Sequence, residues 1–189
     1  MKKILLLSLL VFLPFSAHAD WTLNNEKSSL NFISIKKSTI GEVNRFTSLT
    51  GSLKEGKASV TIDLSSVDTN ISVRDDRMKS MLFEVIQFPK ATIETAIDAS
   101  KLKNLKIGES YQTNLTLTVN LHGVSKEISG DVQVIKLANN NIIVNSIYPI
   151  ILQASDFELT GGIEALAKVA KLPVISSAVP VSFNLVFTE

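Results

Sequence analysis

The chain has 189 residues, with 19 basic and 18 acidic side chains, two histidines and no cysteine. So balanced a charge lacks the basic footprint that a nucleic-acid surface needs, and the missing cysteine removes disulfides, thiol nucleophiles and thiolate metal sites together. With His18 and His122 as its only histidines, the chain also cannot build a multi-histidine zinc centre.

The first segment, MKKILLLSLLVFLPFSAHA, has the three parts of a secretory signal. Lys2 and Lys3 form the basic start, residues 4–15 the apolar run, and Ala17-His18-Ala19 the small-residue cleavage site. The run falls short of the roughly 18 apolar residues that mark a spanning helix. The expectation is therefore a cleaved leader over 1–19 and an exported, periplasmic domain over 20–189, held together by its core alone.

From there the pattern has period two, the mark of strands with one wet and one dry face. In ASVTIDL the apolar set is Ala58, Val60, Ile62 and Leu64. The stretch SVRDDRMKSMLFEVIQFP at 72–89 breaks the alternation. Met78, Met81, Leu82 and Val85 fall on one helical stripe, Ser72 with Asp75 predicts a capping box, and Pro89 closes the segment. Residues 90–98 return to strand, and NLTLTVNLHG sets Leu115, Leu117, Val119 and Leu121 on one face. Residues 126–136 and 142–154 read as further strands, the latter apolar enough to be covered on both faces. GGIEALAKVAKLP is a second helix, ended by Pro173, with Gly161-Gly162 as a bend before it. VSFNLVFTE closes with Val181, Phe183, Leu185 and Phe187 on one side. Reversals are predicted at Gly51, Lys54-Glu55-Gly56, Lys106-Ile107-Gly108-Glu109, His122-Gly123 and Ala138-Asn139-Asn140-Asn141.

About eight strands in an antiparallel meander tend to curl and close, and a barrel of that size is filled by side chains or holds one small ligand. The fold class is mainly β, an antiparallel barrel with two short covering helices. A membrane-spanning barrel would carry aromatic girdles, whereas the whole chain has one Trp and two Tyr.

The segments LSSVDTNISVRDDRMKSMLFEVIQFPKATIE and IGESYQTNLTLTVNLHGVSKEI resemble the YceI-like family. The most specific parts are Arg74-Asp75 with Ser80 and Phe83, then Phe88-Pro89, and the run 121–126. The resemblance implies a lipocalin-like, extended eight-stranded barrel that holds a long isoprenoid, such as a quinone tail or polyprenyl lipid, with no catalytic residue and no cofactor. Arg77 and Leu82 stand where many members have histidine and aspartate, and Lys36-Lys37 where histidine is frequent; the apolar interior is left intact.

The function expected is non-catalytic: a periplasmic protein that sequesters or carries a long-chain isoprenoid, with a homodimer as a candidate assembly. Candidate wall residues are Phe32, Val60, Ile62, Met81, Leu82, Phe83, Ile93, Leu115, Leu117, Val119, Phe183 and Leu185. Candidate polar groups at the mouth are Arg74, Arg77 and His122. The bland reading of RDDR is a solvated helix start, its acids on the positive end of the dipole, and His122 alone is an ordinary turn residue. The alternative to a carrier is a cell-envelope interaction or stress protein whose barrel is filled by its own side chains. An enzyme would need a carboxylate pair such as Asp68 and Asp75 converging on a pocket.

Overall fold

A computed structural model describes residues 20–189, so the leader expected over 1–19 lies outside the described residues. Strands β1 (Trp21–Leu23) and β2 (Ser29–Lys36) are one strand broken by a helical turn at Asn25–Lys27, where the Asn24 side chain accepts the Lys27 amide at 3.1 Å. β3 (Ile40–Phe46) and β4 (Leu49–Lys54) return beside them. β5 (Lys57–Asp63) and the short β6 (Val67–Asp68) follow, parted by a turn that Asp63 caps. Helix α1 (Ser72–Arg77) runs into a wider π turn at Met78–Leu82. Then come β7 (Lys90–Ala96), α2 (Ala99–Asn104), β8 (Ser110–Leu121) and β9 (Val124–Lys136). β10 (Ile142–Ser146) and β11 (Ile150–Gln153) are again one broken strand, and α3 (Thr160–Val169) leads to β12 (Ala178–Thr188).

With β1/β2, β3/β4, β5/β6 and β10/β11 each counted as one broken strand, the twelve form a closed eight-stranded antiparallel barrel. Every strand pairs with its neighbour in sequence, and β12 closes the ring on the first strand through Leu23 opposite Phe187 and Leu30 opposite Phe183. Closure leaves no open edge for other chains to pair with. Alternation then decides the inside: Ala58, Val60 and Ile62 of β5, Leu115, Leu117 and Val119 of β8, and Phe183, Leu185 and Phe187 of β12 all face it.

The meander sorts the connections between two ends. The β2–β3 and β8–β9 hairpins, α1 with its π turn, and α3 share one end, called here the helical end. The β4–β5 and β9–β10 turns, α2 and both termini of the described chain share the other. The two coverings at the helical end pack on each other, and Gly162 makes that possible: a Cβ there would lie 2.7 Å from the Met81 carbonyl oxygen and 2.9 Å from the Leu82 Cα. At the far end the Trp21 indole N–H donates to the Asn140 carbonyl at 2.7 Å, and the Lys136 ammonium lies 5.0 Å from the centre of the indole ring.

Several expectations are corrected. The first helix ends at Leu82, not at Phe88, and Ser72 caps nothing: Ile71 is the N-cap, while Asp75 turns back to accept the Thr69 amide at 2.8 Å. A third helix, α2, has a single buried residue, Leu102, too little apolar periodicity to register; Asp98 starts it by accepting the Ser100 and Lys101 amides, both at 3.0 Å. Gly51 lies inside β4 opposite Val60, not in a turn. Gly161 and Gly162 belong to the first turn of α3. The stretch 142–154 is two strands, and Ile151 is half exposed, so this segment is not covered on both faces.

Candidate binding cavity and its polar rim

Two apolar cavities occupy the barrel interior. The one at the helical end has a volume of about 140 Å³ and is walled by Phe32, Phe46, Ile62, Val119, Ile128, Val179 and Val181 from the strands. Leu82, Phe83, Phe157, Leu159 and Ile163 roof it from the helical coverings, and Gln153 is its one polar lining residue. Phe46 links wall and roof, its ring centroid 5.4 Å from that of Phe32 and 5.6 Å from that of Phe83. The far cavity, about 70 Å³, is lined by Leu53, Ala58, Val60, Ile97, Leu102, Leu115, Val132, Val134 and Leu185, with Thr95 and Tyr111 as its polar members. Burial of the Tyr111 side chain pushes its phenol above the usual range.

The candidate wall residues distribute between these spaces. Phe32, Ile62, Leu82, Phe83 and Val119 line the near cavity, Val60, Leu115 and Leu185 the far one, and Ile93, Leu117 and Phe183 touch both. Met81 lines neither. The turn at 78–82 closes through the Phe83 amide on the Met78 carbonyl, five residues apart; winding wider than an α-helix, it sends Met78 and Leu82 inward and leaves Met81 beside α3.

Sequence reasoning missed the polar rim. On β2 the inward parity set by Leu30 and Phe32 continues through Ser34 to Lys36; on β3 that of Phe46 continues through Asn44 to Glu42. These polar residues therefore face the interior at the helical end, and the parity of Phe32 was the signal that could have found them. Asn44 is 2 % exposed; its amide N–H groups donate to Ser34 Oγ at 3.1 Å and the Glu42 carbonyl at 3.2 Å, while its own side-chain oxygen is buried without a donor. Arg74 reaches over from α1 to the Glu42 carboxylate and the Thr69 carbonyl, leaving a buried Nε unpaired. Lys36 pairs with the same carboxylate.

The hydrogen bond from Lys36, aided by the charge of Arg74, holds the Glu42 carboxyl below its usual value of 4.5 despite the opposing effect of burial. A depressed acid stabilises the fold above its unfolded pKa, and that contribution disappears as pH falls through the folded value. Glu42 is about one-third exposed, so the gain is about 1 kcal/mol or less. Glu42→Gln is expected to lower the melting temperature at neutral pH and to narrow the drop between neutral and strongly acidic pH, read by thermal unfolding at both.

The other two candidate mouth groups lie apart from this cluster. Arg77 has no acid within 4.0 Å among the described residues. His122 occupies the β8–β9 turn at φ 54°, its ring 4.3 Å from Phe88 and its Nε2 2.8 Å from Glu84 Oε2, so it ties the hairpin to the segment leaving the first covering. No hydrogen bond joins Arg74, Arg77 and His122 to one another. Asp68 is held by Arg45 at 2.7 Å and Asp75 by the Thr69 hydroxyl at 2.5 Å; neither lines a cavity.

The comparisons agree with this geometry. A polyisoprenoid-binding domain from Saccharophagus degradans, implicated in plant cell wall breakdown, shares 37 % identity over 89 % of this chain and 97 % of its own, with a TM-score of 0.87. BcnA of Burkholderia cenocepacia (16 % identity, 87 % and 98 % coverage, TM-score 0.65) and a Campylobacter jejuni YceI protein (20 %, 76 % and 82 %, TM-score 0.55) share the fold. No curated protein matches the chain. The YceI-like domain model matches residues 21–187, and with that span nearly the whole of the barrel, the chain belongs to the YceI-like family.

Proposed function

We propose that this protein is a non-catalytic, exported, periplasmic carrier or store for a long-chain isoprenoid, a quinone or a polyprenyl lipid, held inside the barrel. The observation that carries the reading is the pair of apolar cavities inside the barrel, the near one roofed by two helical coverings. The relative from Saccharophagus degradans, described as a polyisoprenoid-binding domain, supports the ligand class. Each methylene-sized group buried is worth about 0.8 kcal/mol, so a few isoprene units offset an association cost of about 4–15 kcal/mol. The chain end of the ligand lies inward and its polar group stays at the helical end, where Lys36, Glu42, Asn44 and Arg74 supply donors and acceptors.

Mass spectrometry of the purified mature protein, natively and after organic extraction, tests the reading. A stoichiometric isoprenoid is the expected result. A clean protein mass that persists after incubation with such lipids would overturn it in favour of an envelope interaction protein with a side-chain-filled barrel.

A further inference from the structure

The two cavities have four lining residues in common: Leu30, Ile93, Leu117 and Phe183. Residues one inward step towards the helical end, such as Phe32 and Val119, line only the near cavity, and those one step the other way, such as Leu115 and Leu185, only the far one. The four therefore form a collar across the barrel between the spaces. Leu30 and Phe183 are direct cross-strand partners, so their side chains stand together on one arc of the ring.

Gly130 completes the collar by its lack of a side chain. It sits on β9 between Ile128, which faces the near cavity, and Val132, which faces the far one. A Cβ on Gly130 would come within 2.8 Å of the Ile150 side chain and 3.4 Å of that of Leu117. Both side chains have thus leaned into the space it leaves free. The constriction is made of side chains rather than backbone, and rotamer changes can open it.

We infer that this collar sets a chain-length step in the ligand: short isoprenoids occupy the near cavity alone, and longer ones gain affinity by threading past Leu117 and Phe183 into the far cavity. The inference rests on the isoprenoid-binding reading above and specifies which members of that class the barrel favours. The far cavity has a mostly apolar wall, so the gain there comes from burial of hydrocarbon. Two methylene-sized groups accommodated beyond the collar are worth about tenfold in affinity.

The test is a titration of geraniol, farnesol, geranylgeraniol and solanesol into the full mature protein and two variants, each first checked for folding by circular dichroism. Ala58→Leu fills the far cavity from its own wall, outside the collar. It is expected to weaken the longer alcohols by about tenfold and to leave geraniol unchanged. Phe183→Leu widens the collar and is expected to strengthen the longer alcohols relative to geraniol. An equal effect of Ala58→Leu at every length, or none at the longest, overturns the collar. Should wild-type protein bind none of the four, the isoprenoid reading itself fails and the collar falls with it; that outcome is distinct, because a failed collar leaves wild-type binding intact.

Discussion

Leu117→Glu is expected to abolish isoprenoid binding, by about hundredfold or more, in a titration with geranylgeraniol that wild-type protein answers. Leu117 is 5 % exposed and faces both cavities, so the new carboxyl meets hydrocarbon on every side of the collar. Ionised, it finds no cationic side chain among the residues that line either cavity; burial instead drives its pKa up, to as much as about 8–9 in fully buried cases. The sign of the pH effect follows. A raised acid binds its proton more tightly in the folded state, so stability falls as pH rises between the unfolded and folded pKa values. The variant should therefore melt higher in mildly acidic than in mildly alkaline buffer, opposite in sense to the contribution of Glu42. Leu117→Met, which nearly conserves volume, costs less than about 1.5 kcal/mol and should retain binding. A folded Leu117→Glu protein with undiminished affinity would remove this residue from the ligand path.

The strands were legible because their alternation is simple and one-sided. Ala58, Val60 and Ile62, or Phe183, Leu185 and Phe187, leave no doubt which face is dry, and the β-meander then has few ways to close. What alternation concealed is where the dry face stops being dry. Ser34, Lys36, Glu42 and Asn44 keep inward parity, but their polarity reads as outward, so the rim that surrounds Arg74 stayed invisible until strand pairing placed Phe32 opposite Asn44. The first covering shows the opposite failure. An α-helical period puts Met78, Met81, Leu82 and Val85 on one stripe, whereas the π turn at 78–82 buries Met78 and Leu82 and sets the Met81 carbonyl beside Gly162 of α3. Helix α2 fell below detection for want of apolar residues, with Leu102 carrying the whole of its burial. No period in the sequence states that two cavities meet at four side chains, since the collar depends on strand stagger around the barrel.

Phe157→Ala separates the two roles that the roof combines. Phe157 is 1 % exposed, lies in the helical turn Ala154–Phe157 that follows β11, and lines the near cavity from above. Truncating so buried a phenylalanine costs about 3–5 kcal/mol, because the transfer energy of the ring is lost and the roof collapses only in part. Denaturant unfolding without ligand should show a lower midpoint with an unchanged slope, since the surface exposed on unfolding is nearly the same. The cavity left behind adjoins the ligand space rather than sealed core, and this gives the prediction its second arm. An isoprenoid chain can fill the new volume, so saturating geranylgeraniol should restore more stability to the variant than it adds to wild-type protein, by linkage of binding to folding. Equal stabilisation of both proteins would mean that Phe157 only supports the roof and that the bound chain does not reach it.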